Sequence, residues 1–89
     1  RTDILDRAMI DLLSFYRDVL TTQMGSDVER VNLDLSDAVD QAARTTSPEQ
    51  SLARIAAIEE CRSRLRSNAA PLLAVEALMV QLRPQAEGR

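Results

Sequence analysis

Histidine, lysine and tryptophan are absent from this chain of 89 residues, glycine occurs twice and cysteine once. Without histidine there is no imidazole base and neither a Ser–His nor a Cys–His pair. Without a glycine-rich stretch no loop can cradle a phosphate. Catalysis and ATP binding are therefore not expected of these residues. The single Cys61 excludes an internal disulfide, and one thiol in a chain without histidine cannot build a zinc cluster, so no cofactor or metal is expected. Its position at the edge of an apolar helical stripe makes Cys61 a small core hydrophobe rather than a reactive thiol. A reducing cytoplasm is the expected compartment.

Aromatic residues are almost as scarce. Apolar residues make up 45% of the chain, yet only Phe15 and Tyr16 are aromatic, so the core must come from Leu, Ile, Val, Met and Ala. That composition favours packed helices over sheets. A chain of this length has room for one domain, which removes roughly 60% of its unfolded surface from water. The net charge is -3, with all eleven basic residues Arg, and signs alternate along the chain. This balance argues against autonomous binding to nucleic acid or anionic membranes, which rests on clustered positive charge. The most apolar stretch, residues 72–82, is interrupted by Glu76 and Gln81 and falls short of the roughly 20 residues a membrane span needs. No targeting segment is visible, and the opening on Arg1 without an initiator Met reads as a single domain, 1–89, cut from a longer protein.

Four helices can be read from spacing and punctuation, giving an all-α fold: a small bundle of four to five helices. Over residues 3–24, Leu5, Ala8, Leu12, Tyr16 and Val19 recur every three or four positions, with Met9, Phe15 and Leu20 widening the stripe. Asp3, Arg7, Asp11, Ser14 and Asp18 form the opposite, polar side, and Arg7 can pair with Asp11. Gly25 ends this helix in the left-handed cap position. Residues 26–34 read as a loop. A short second helix follows to about Arg44, with Asp34 or Ser36 as cap and Leu35, Val39 and Ala42 facing inward. Ser47-Pro48-Glu49-Gln50 is a capping box with Pro at the first helical position, opening a third helix to about Arg66. Asn68 is the expected cap of the fourth helix, with Pro71 in its first turn and Pro84 beyond its end.

Two helices carry charges where apolar residues are expected. The inward positions Leu52, Ile55, Ile58 and Leu65 of the third are interleaved with Glu59 and Arg62. Glu76 stands alone on the fourth, which is otherwise apolar nearly all round. Charges on a buried face demand partners: Glu59 and Arg62, three apart, can pair with each other, and an Arg62–Glu76 contact between helices is the coupling expected. Arg62, Arg64 and Arg66 follow Glu59 and Glu60, and cations near a helix C-terminus are favoured without any phosphate ligand.

Leu13-Ser14-Phe15-Tyr16-Arg17-Asp18-Val19-Leu20 resembles the aromatic-Arg-Asp segment in the C-terminal domain of delta-prime clamp-loader subunits of bacterial DNA polymerase III. Arg62-x-x-Leu65-x-x-Asn68 followed by Pro71-Leu72-Leu73-Ala74-Val75-Glu76-Ala77-Leu78 is similar to the pattern that closes that domain, in delta-prime and in the related gamma/tau subunits. Asn32, in Val31-Asn32-Leu33-Asp34, looks like a third match. The resemblance covers residues 6–82. It implies a helical collar domain that packs with those of other subunits in the complex that loads the sliding clamp on primed DNA. By that resemblance Arg17, Asp18, Asn32, Arg62, Asn68 and Glu76 are structural or interface candidates, without a decision between the two roles. The all-round apolar character of the fourth helix adds Leu72, Leu73, Val75, Leu78, Met79, Val80 and Leu82 as exposed interface candidates. The implied partners are other clamp-loader subunits, with no direct contact to nucleic acid or membrane. A helical chorismate mutase, the rival enzyme class, is disfavoured because its cage of Arg, Lys and Gln or Glu would lack the lysine. A free-standing helical adaptor dimerising through the fourth helix is a third class.

Overall fold

The computed structural model describes residues 2–67 and 70–84, apart from the Thr2 side chain. Helix α1 spans Thr2–Gln23, a 3₁₀ turn Leu33–Leu35, α2 Ser36–Thr45, α3 Pro48–Arg66 and α4 Pro71–Leu82. Among the described residues there is no strand, so the all-α bundle read from the sequence is the fold observed.

The helix boundaries follow their local chemistry. Gly25, at φ 69°, ends α1 in a left-handed turn in which its N–H donates to the Thr22 carbonyl and the Ser26 N–H to the Thr21 carbonyl. This pair of bonds satisfies carbonyls that the last turn of a helix leaves open, in a conformation glycine adopts without strain. At α3, the Gln50 N–H donates to Ser47 Oγ at 3.1 Å while the Ser47 N–H donates to Gln50 Oε1 at 2.8 Å, completing the expected capping box. The other caps differ from expectation. Leu35, not Asp34 or Ser36, occupies the N-cap position of α2, where its apolar side chain can make no cap bond, and the 3₁₀ turn leads the chain into the helix. Ala70 occupies the N-cap position of α4, directly before Pro71; Asn68 lies outside the described residues.

Helix α1 packs against both α2 and α3, and α4 packs against α3. Met9 and Leu13 of α1, Ile58, Cys61 and Leu65 of α3, and Ala74 and Leu78 of α4 form one core. Leu5, Leu12, Tyr16, Ile55, Val75 and Leu82 pack half-buried against it. Val19 and Val39 are fully buried toward the α2 end. The molecule measures 38 × 33 × 17 Å, and α4 packs mainly against α3.

The periodicity misplaces several side chains. Leu13 is buried and Ala8 exposed, so the inward stripe of α1 is rotated from the one the spacing predicts. Leu35 and Leu52 are exposed because no element packs over them, whereas Ser51 is fully buried. Cys61 is in the core, as expected, and burial pushes its thiol above its ordinary value, outweighing the opposing charge of Arg64.

Candidate functional site

Two of the motif residues meet directly. Asp18 is 4% exposed, although its spacing puts it on the polar side of α1. Its carboxylate accepts hydrogen bonds from the Val31 N–H at 3.1 Å, the Asn32 N–H at 2.8 Å and Asn32 Nδ2 at 2.8 Å. Asn32 Nδ2 also donates to Ser14 Oγ at 3.1 Å. Burial alone would raise the Asp18 carboxyl. The backbone and side chain of Asn32, the Val31 N–H and the nearby Arg30 charge outweigh it and hold the group below its ordinary value. Asp18 therefore works as an anionic peg that fastens the 24–32 loop to α1.

Residues with no sequence signal extend this fastening. Arg30 donates to the Ser36 carbonyl at 3.3 Å, to Ser36 Oγ and Thr22 Oγ1 at 3.1 Å each, and to the Asp40 carboxylate, whose ionisation it favours. Gln23 Nε2 donates to the Thr46 carbonyl at 2.9 Å and to Thr46 Oγ1 at 3.1 Å, while Gln23 Oε1 accepts from the buried Ser51 hydroxyl at 2.8 Å. The C-terminus of α1, the end of α2 and the start of α3 are thus closed by polar side chains. Among the described residues no buried side-chain nitrogen or oxygen lacks a partner, the condition under which a buried polar network is tolerated.

Arg62 pairs with Asp6, not with Glu76. Its Nε lies 2.9 Å from Asp6 Oδ1 and its Nη2 3.4 Å from Asp6 Oδ2, and this contact holds the Asp6 carboxyl below its ordinary value. The α1–α3 packing brings Asp6 to Arg62, while Glu76 lies on the exposed side of α4. Arg17 and Glu59 form a loose exposed pair at 3.6 Å, the class of ion pair that contributes little. Arg17 and Arg62 nonetheless share a shallow hollow of about 290 Å³ with Ile10, Leu13, Ser14 and Val31.

The apolar candidates on α4 divide by face. Leu72, Leu73, Met79 and Val80 are 70%, 66%, 59% and 52% exposed. Leu78 is buried in the core, and Val75 and Leu82 pack half-buried against it, so these three leave the exposed set. Leu78 falls on the side that α3 covers, on a helix whose few polar residues, Glu76 and Gln81, lie on different faces and give only a weak sequence cue to direction. Between α3 and α4 runs an open groove of about 430 Å³ lined mainly by small side chains, among them Ala53, Ala56, Ala74 and Ala77, with Glu60 and Arg64 paired at its edge. A second group of exposed apolar residues, Val28, Val31, Leu33 and Leu35, lies on the segment that the Asp18 and Arg30 network holds.

Among the described residues, no group of three or more His, Cys, Asp or Glu side chains could hold a metal ion. Among the described residues no helix is long and apolar enough to cross a membrane. The family model described as DNA polymerase III, delta subunit, C terminal, matches residues 4–83. No curated protein and no solved structure matches the chain.

Proposed function

The chain belongs to the family formed by the C-terminal domains of DNA polymerase III delta subunits, and from that premise we propose that it serves assembly of the clamp loader, packing with the collar domains of neighbouring subunits. The observation that carries this reading is the exposed face of α4. Four large apolar side chains, Leu72, Leu73, Met79 and Val80, are more than half exposed on one twelve-residue helix. An apolar patch of this kind on a small domain marks an interaction site. The finer assignment is to delta-prime rather than gamma/tau, supported by Phe15-Tyr16-Arg17-Asp18 in α1. The domain acts without catalysis of its own, and its partners are protein subunits rather than nucleic acid.

Reconstitution with the other loader subunits tests the reading. Leu73→Asp and Val80→Asp, both at exposed positions, should lower incorporation into the complex at least about tenfold while leaving helicity and melting temperature unchanged. Normal incorporation of both variants overturns it.

A further inference from the structure

Resting on the assembly reading above, the geometry of α4 points to the chemistry of its partner: a helix from a different subunit whose apolar stripe carries one basic residue at its centre. In the same geometry Glu76 bars this face from pairing with a second copy of the chain.

At 100° per residue, the outer face of α4 collects Leu72, Leu73, Glu76, Met79 and Val80 within about one third of a turn. Ala74 and Leu78 point the other way, into the core. Glu76 falls on the midline of that exposed stripe, four residues after Leu72 and four before Val80, and it is exposed itself. Among the described residues it makes no ion pair or hydrogen bond, since Arg62 is engaged by Asp6. The next cation in the chain, Arg83, is seven residues on, one past the end of α4.

A carboxylate in the middle of an apolar face is well solvated in the free domain, but it loses its water when a partner covers the face. That loss is offset only if the partner supplies a cation or several hydrogen-bond donors at the same point. The position also sets which partner is admitted. Helix α4 spans residues 71–82, so a two-fold pairing of its full length with a copy of itself, parallel or antiparallel, has its axis beside Glu76. The two carboxylates would then face each other across a drying interface, and like charges so placed act against the wrong partner. Sliding the copies to set Glu76 against Arg83 would leave Leu72 and Leu73 uncovered. A different subunit with an Arg or Lys on its stripe meets neither obstacle.

The chain can serve as its own probe. In sedimentation experiments the unaltered chain and Glu76→Arg should each remain monomeric, while their equimolar mixture should form a 1:1 species at least about tenfold tighter than either self-association. Glu76→Leu should self-associate. Because Glu76 is exposed and outside the core, circular dichroism of each variant should match the parent. The inference is overturned if the unaltered chain dimerises as tightly as Glu76→Leu, or if either the mixture or Glu76→Leu fails to associate. Should that happen while Leu73→Asp still blocks reconstitution, the face remains an assembly surface and only the role of Glu76 falls. If Leu73→Asp and Val80→Asp are incorporated normally, the assembly reading itself falls.

Discussion

Asn32 reaches one oxygen of Asp18 twice, through its backbone N–H and through Nδ2, both at 2.8 Å. A loop residue thereby reads a buried carboxylate on the helix 14 residues earlier, and the exposed apolar residues of the same segment are held in place as a consequence. Asp18→Ala should strand the Val31 and Asn32 donors and destabilise the domain by roughly 2–4 kcal/mol. Urea unfolding checks the magnitude, and hydrogen exchange at Val31 and Asn32 should speed up ahead of that in α3.

Acid should weaken the fold through the same carboxylates. Asp18, Asp6 and Asp40 are all held below their ordinary value in the folded chain, by hydrogen bonds and by neighbouring Arg charges. Their stabilisation is fully present above the unfolded carboxylate pKa of about 3.9 and is lost as pH falls through the lower folded values. The urea midpoint should be level from pH 7 to about 5 and drop below about pH 4. Asp18→Asn should start lower and fall less steeply.

Arg62 and Asp6 should be energetically coupled, whereas Arg62 and Glu76 should not. A double-mutant cycle with Asp6→Asn and Arg62→Met should deviate from additivity, and the parallel cycle with Glu76→Gln should be additive, since additivity fails for contacting residues and holds for distant ones. Coupling in the second cycle alone would contradict the observed pairing.

Gly25→Ala should cost about 1 kcal/mol through backbone strain alone, because φ is 69° and an added Cβ would meet nothing within 4 Å. Gly25→Asn, which tolerates this conformation better, should cost less. Thermal melts of the two variants separate strain from crowding.

Cys61 should resist thiol reagents in the native state, since it is 2% exposed and burial raises its pKa. Its labelling rate should follow unfolding, rising with urea together with the loss of helicity. Fast labelling without denaturant would place the thiol at the surface.

The sequence by itself determined the helical class and the boundaries that depend on neighbouring residues. Gly25 ends α1, and Ser47, Pro48 and Gln50 open α3, through bonds that span no more than five residues and are therefore fixed locally. The short motifs also carried a resemblance to DNA polymerase III clamp-loader domains, which the family model bears out at the level of the delta C-terminal family. Only the tertiary structure decided which charges meet. Asp6 lies 56 residues from Arg62, and Gln23 lies 28 from Ser51, separations across which helical period carries no information. Periodicity likewise left the inward side of α4 open, because its two polar residues, Glu76 and Gln81, lie about 140° apart around a helix otherwise apolar nearly all round and give little moment to orient it. Packing against α3 buries Ala74 and Leu78, and that choice leaves Leu72, Leu73, Met79 and Val80 outside with Glu76 among them.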